Sequence, residues 1–203
     1  MLSRVVAVDL MAPLLLMSEL ARFAAKGAVA GQPAQFKVVN VSSVMGLLGA
    51  GRLTSYSAAK AGLAMASESA QLDAESDGLW PRLSVLTVFP YAVSGVLFRG
   101  IYGEDEGPRR PRATAPTASA GWLSILAAIT PQDNFLRSLL FPLLSPSDVG
   151  EAVISGIESG ARTLVVPWLI GVVVAIARLF PPSAMALLAG VMGGWRGMDT
   201  WKG

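Results

Sequence analysis

The sequence predicts an α/β fold built on a parallel sheet, and three stretches carry that expectation. Val38-Val39-Asn40-Val41 and the run RLSVLTVF at residues 82–89 are short, apolar and rich in β-branched residues, the pattern of buried strands. Between them a helical stretch covers residues 55–76, with Asp77-Gly78 as its stop signal. Strand, helix and strand in that order imply a right-handed parallel crossover. Ligands of such sheets bind at the carboxyl ends of the strands, where Ser42-Ser43 and Pro90 fall.

Composition narrows the choices. A chain of 203 residues is one domain with a sizeable core, and with 53% hydrophobic and 15% charged residues it is more apolar than an average soluble domain. A net charge of +2 gives no basic field of the kind nucleic acid requires. The sequence has no Cys and no His, which removes disulfides, thiolate or imidazole metal sites and His-based triads. Any catalysis falls to Tyr, Lys and carboxylates.

Residues 5–27 read as an amphipathic helix, with Val6, Leu10, Leu14, Met17, Leu20 and Ala24 at helical spacing. Arg4 followed by apolar residues, and Ala28-x-Ala30, also fit a signal peptide, but Asp9, Glu19, Arg22 and Lys26 interrupt the apolar stretch such a segment needs. The first strand ends in Ser42-Ser43. A loop with Gly46, Gly49 and Gly51 leads to a helix starting near Thr54. Tyr56 and Lys60 are four apart on that helix, so they share one face. An isolated phenol ionises near pH ~10, too high for a base at neutral pH. A cation about 4 Å away at an effective dielectric near 20 is worth roughly 4 kcal/mol, or about three pKa units, which brings a phenol into the range of general acid–base catalysis. Ser43 is placed to hydrogen-bond the reacting oxygen.

NVSS, a glycine-rich loop, and then Y-S-A-A-K, with Ser43 ahead of Tyr56 and Lys60, resemble the active-site half of the short-chain dehydrogenase/reductases. The resemblance implies a partial Rossmann-like doubly wound parallel sheet lacking the N-terminal nucleotide-binding strands. It makes Tyr56 the acid/base, Lys60 the residue that tunes it and binds the nicotinamide ribose, and Ser43 the group that polarises the substrate. It implies an NAD(P)-dependent enzyme in which Pro90, Tyr91 and Val93 line the nicotinamide. Two departures stand out: Tyr91 falls where the family has Gly, and Gly95 where it has Thr. Asp9 falls where the family often has an Asn supporting a water behind the Lys; the other reading is an Asp of the helix N-terminal turn favoured by the dipole. The family's strand–GxxxGxG–helix fingerprint is not found ahead of residues 5–27. Gly46-x-x-Gly49-x-Gly51 does not directly follow its strand and belongs to the active-site loop. Cofactor binding by the chain alone is therefore expected to be weak. The alternative to an enzyme is an inactive truncated member serving as a dimerisation or membrane-interface module.

Residues 97–145 correspond to the family's substrate lid. They combine a charged, proline-broken loop at 104–112 with apolar segments at 122–129 and 135–144, a composition that fits either a lipophilic substrate or plain core packing. Ser145-Pro146-Ser147-Asp148 starts a helix at 147–159, followed by a strand at 162–166. The catalytic half thus spans 1–166 and an apolar helical extension 167–203. Each half of 167–195 is too short to cross a bilayer, which leaves helices in a membrane interface or helices packed on the domain or at a homodimer contact. The tail Met198-Asp199-Thr200-Trp201-Lys202 is similar to the ends of membrane-associated retinol- or hydroxysteroid-type members. A cytoplasmic protein, or one peripheral on an intracellular membrane, is the corresponding expectation.

Overall fold

A computed structural model describes residues 2–29, 35–49, 53–94 and 143–179. Gly51, Gly95, the lid stretch up to residue 142 and the extension from residue 180 onward lie outside the described residues. The elements are α1 (Leu2–Val6), a π-helical turn (Ala7–Met11), α2 (Ala12–Val29), β1 (Phe36–Val41), a 3₁₀ turn (Val44–Gly46), α3 (Thr54–Ser76), β2 (Leu83–Pro90), α4 (Pro146–Glu158), β3 (Thr163–Val166) and α5 (Trp168–Ala177). The three strands form one parallel sheet in the order β1-β2-β3, with Val41 opposite Val88 and Pro90 opposite Val166. All eight positions of the central strand β2 are buried.

Successive residues of β2 point to opposite faces, and helices cover both. Leu83 and Phe89 face one side, where Leu83 packs with Ala24 of α2 and Ala74 of α3, and Phe89 with Val44, Leu48 and two residues of α5, Ile170 and Val174. Leu86 and Val88 face the other side, against Val149, Ala152 and Val153 of α4. This is the two-sided covering expected of a doubly wound sheet. β3 starts opposite Thr87, leaving the Val85 N–H without a strand partner; Gln71 of α3 supplies its side-chain carbonyl at 2.8 Å. The Gln71 amide donates to Glu75, which pairs with Arg162 at the start of β3.

The first helix is not the uniform α-helix that its spacing predicts. The Ala12 N–H bonds the Ala7 carbonyl, five residues back, and the widened turn encloses Asp9. Pro13 supplies the reason: it has no N–H to give the Asp9 carbonyl, and its ring would strike that carbonyl in a regular helix. Among the described residues no helix is long and apolar enough to cross a membrane. α5 buries Ile170 and Val174 and leaves Trp168, Val172 and Ile176 exposed.

α4 opens with a capping box. The Ser145 hydroxyl accepts from the Asp148 N–H at 3.2 Å, and the Asp148 carboxylate accepts from the Ser145 N–H at 2.7 Å. Hydrogen bonds from the Ser145 backbone and then from its side chain hold the Asp148 carboxyl below its ordinary 3.8. A carboxyl depressed in the folded state stabilises fully above its unfolded value and loses that contribution as pH falls through the lower folded one. Asp148→Asn is expected to lower the melting temperature at pH 7 relative to wild type. The gap should close as the pH is taken below 3.8 in thermal unfolding followed by circular dichroism.

Candidate active site

The carboxyl ends of β1 and β2 lie side by side, with the Ser42 N–H bonded to the Val88 carbonyl at 2.8 Å. α3 is seated against this edge chiefly at Lys60. The buried Ser42 hydroxyl donates to the Lys60 carbonyl at 2.8 Å, and the Lys60 ammonium returns to the sheet by donating to the Val41 carbonyl at 3.0 Å. Gly46 packs directly on the helix backbone, where an added Cβ would lie 2.9 Å from the Lys60 carbonyl carbon and 3.0 Å from the Ala61 nitrogen. Strand end, loop and helix therefore meet at one residue.

The Lys60 ammonium lies 5.7 Å from the Tyr56 ring centroid, so the four-residue spacing brings the pair together. It also forms an ion pair with Asp9 at 3.1 Å, in which the lysine side chain is 12% and the aspartate 27% exposed. Asp9 lies two turns into the helix that begins at Leu2, beyond the first turn on which the dipole reading depends. The Ser43 hydroxyl is buried and accepts from the Met45 N–H at 3.1 Å, which caps the 3₁₀ turn. Its own proton meets no acceptor among the described residues, and Ser43 and Tyr56 share no direct hydrogen bond there. The site can thus offer a hydroxyl donor, a phenol and an ammonium at one rim of the sheet.

At the end of β2, Pro90 is buried and the Tyr91 N–H bonds the Val166 carbonyl at 2.8 Å. Tyr91 packs against the apolar clusters on both faces of the sheet, so its bulk is shared with the core. Val93 forms a parallel bridge to Leu144, which carries the chain after β2 back toward α4. A cleft of about 350 Å³ is lined by Lys60 together with Asp9, Leu16, Met17, Val39, Val41 and Leu63 among others.

Three contributors were not legible as site residues in the sequence. The Val41 carbonyl is a backbone group with no side-chain signature. In the pair Ser42-Ser43 nothing in the residue types tells which hydroxyl faces the helix. Pro13, four residues after Asp9, was the available signal for the widened turn.

Residues 2–102 match the protein family described as short chain dehydrogenase. No curated protein matches the sequence. Among solved structures, a short chain dehydrogenase from Burkholderia cenocepacia J2315 in complex with NADP is similar at 16% identity and a TM-score of 0.47, covering 78% of this chain and 47% of its own. A short chain dehydrogenase/reductase from Burkholderia phymatum in complex with NAD is similar at 24% identity and a TM-score of 0.46, covering 73% of this chain and 48% of its own. A short-chain dehydrogenase from Streptomyces avermitilis is similar at 20% identity and a TM-score of 0.39, covering 83% of this chain and 49% of its own. The chain spans about half the length of these proteins.

The seating of α3 generates a prediction. Gly46→Ala forces a methyl onto helix backbone that cannot swing aside, and overpacking of that kind costs roughly 1–3 kcal/mol. The expected result is a lower urea midpoint with an unchanged slope. Gly49→Ala, whose added Cβ would meet nothing within 4 Å, is the matched control.

Proposed function

Over residues 2–102 this chain belongs to the short-chain dehydrogenase family, and from that footing we propose that it carries the active-site half of an NAD(P)-dependent oxidoreductase. The reaction is interconversion of a lipophilic alcohol and its ketone or aldehyde. The observation that carries the reading is the Lys60 ammonium, fixed on the Val41 carbonyl and 5.7 Å from the Tyr56 ring, at the carboxyl edge of a parallel sheet.

The residues present fit the nicotinamide end of such a cofactor by their chemistry. Ser43 and Tyr56 are hydroxyl groups and Lys60 is a cation with a donor to spare, the set that ribose hydroxyls and a substrate oxygen require. Bound cofactor supplies or takes the hydride. Tyr56 gives a proton to the carbonyl oxygen in reduction and takes it from the alcohol in oxidation. Lys60 sets a positive charge beside the phenol ring and holds ribose hydroxyls. Ser43 donates its free proton to the reacting oxygen and fixes it against the phenol. Pro90, Tyr91 and Val93 form the apolar wall beside the ring. The lipophilic substrate follows from the apolar residues of the lid stretch, and NAD is not separated from NADP by any residue described.

The test is NADH or NADPH oxidation by the purified full chain with a panel of aliphatic, retinoid-like and steroid ketones and aldehydes. Tyr56→Phe and Lys60→Met are expected to lower kcat/KM by about 10²–10⁴, the usual worth of a positioned acid/base. Turnover unchanged in Tyr56→Phe would overturn the assignment.

A second reading, a catalytically silent dimerisation module, is favoured by the exposed apolar side chains Leu15, Leu16 and Phe23 on α2 and Met65 and Leu72 on α3. It predicts a dimer in sedimentation that Leu16→Glu or Met65→Glu dissociates, and no turnover with any partner substrate. Contact with a membrane surface through 167–195 belongs to this same reading, and flotation with anionic vesicles measures it.

A further inference from the structure

We propose that the outer edge of β1 is a strand-acceptor site, which takes an extended, uncharged segment of another polypeptide as an added strand of the sheet. The parity of the β1 ladder carries the inference. The Phe36 N–H bonds the Arg82 carbonyl at 2.7 Å and the Ser42 N–H bonds the Val88 carbonyl at 2.8 Å. Residues 36, 38, 40 and 42 therefore turn their backbone groups toward β2. Residues 37, 39 and 41 turn theirs the other way, to the side on which the order β1-β2-β3 has no neighbour. The Val41 carbonyl bears this out, because it accepts from the Lys60 ammonium and not from a strand. Among the described residues nothing bonds the backbone groups of Lys37 and Val39 or the Val41 N–H.

Folded proteins blunt an open strand edge with a Pro, a bulge or a charge. β1 uses none of these. FKVVNV has no Pro and pairs with β2 in unbroken register, and its one charge, Lys37, sends its ammonium to the Ile157 carbonyl at 3.4 Å. The edge opens instead on the cleft of about 350 Å³, which is lined by residues 38–41 of β1 and by no residue of β2. Leu16, Met17 and Leu20 of α2 form its apolar wall.

That site selects its occupant. A row of outward N–H and C=O groups at strand spacing is complemented by another backbone, whereas an alkyl chain laid there would leave them unpaired. The charged groups of the lining, Lys60 and Asp9, neutralise each other at 3.1 Å, so the matching side chains are uncharged. A second copy of β1 does not fit. Its Val38 packs with Ala24 of α2, its Asn40 bonds Ser67 of α3 and its Val39 packs with α4, so it would bring its own helices to where this α2 stands. The occupant is a strand bare on the face that slides under α2.

The experiment titrates the full chain against acetyl-Thr-Val-Thr-Val-Thr-Val-Gly-Ser-Lys-amide, with fluorescein on its lysine, in fluorescence anisotropy. Saturable binding is expected. N-methylation of one alternate set of the probe's residues should abolish it and of the other set should leave it, because one edge of the added strand faces β1. Val39→Pro removes an outward N–H and keeps the β1–β2 bonds, so about tenfold weaker binding is expected with unchanged circular dichroism. Leu16→Arg, at an exposed position, puts a charge on the groove wall and should weaken binding as well, which keeps the idea testable if Val39→Pro fails to fold. Amide exchange by NMR reads the edge directly. In the free chain Lys37, Val39 and Val41 should exchange fast and Val38 and Asn40 slowly, and the probe should slow the first three. Slow exchange of those three in the free chain would mean that the edge is already covered and would overturn the proposal. So would equal binding of the two N-methylated probes, displacement of the probe by decanoate, or no saturable binding. None of these readouts requires turnover, so they stand or fall apart from the proposed reaction.

Discussion

The seating of one helix against one strand end, at Lys60, is the constraint on which the rest of the site depends. Lys60 is gripped from both ends: its carbonyl takes the Ser42 hydroxyl, and its ammonium reaches the Val41 carbonyl. The two bonds have different origins, one from a side chain on the strand and one to the strand's own backbone. Together they fix the rotation of α3 about its axis as well as its height along β1. Tyr56 rides one turn earlier on the same helix, so its place follows from that of Lys60. Gly46 completes the seat by letting the loop backbone lie on the helix backbone.

Behind the site a buried polar network serves the same end. The Asn40 amide donates to Ser67 of α3 at 2.8 Å and to the Met17 sulfur of α2 at 2.9 Å, while the Ser67 hydroxyl donates to the Leu63 carbonyl at 2.6 Å. An unpaired amide at this depth would cost more than the net gain of the bonds it makes. Its worth is in register: apolar side chains tolerate sliding of a helix over a sheet, whereas a donor with two specific acceptors does not. Asn40, Ser42 and Lys60 thus tie α3 to β1 at two heights, which is what a reaction needing sub-ångström placement requires.

The sheet was legible in the sequence because its strands are short, apolar runs between turn signals. α3 was legible because Thr54, Asp77 and Gly78 mark its ends, and the limits of β2, α4 and β3 fall within a residue of those expected. Tyr56 and Lys60 stood out because residue type and spacing together report a shared helix face. The rest escaped for identifiable reasons. A backbone acceptor such as Val41 carries no side-chain signal. The roles of Ser42 and Ser43 depend on which way the strand end turns. Asp9 was noticed through resemblance, but its direct contact with Lys60 depends on a widened turn that Pro13 enforces and that helical periodicity does not register. Tyr91 was noticed as a departure from the family's Gly; its packing against the core depends on the strand end continuing through Val93 to Leu144, which residue type alone does not report.

The ion pair between Lys60 and Asp9 also bears on the electrostatics of the site. The Lys60 ammonium lies 5.7 Å from the Tyr56 ring centroid. A carboxylate 3.1 Å from the same ammonium carries the opposite charge and so offsets part of the field the cation projects. Proximity of Lys60 is therefore not by itself a measure of how strongly Tyr56 feels it. An ammonium held by two acceptors, the Val41 carbonyl and Asp9, has one donor left for a ligand. For a group that must meet a ligand hydroxyl and a phenol together, fixed direction lowers the barrier by orienting the partners in advance.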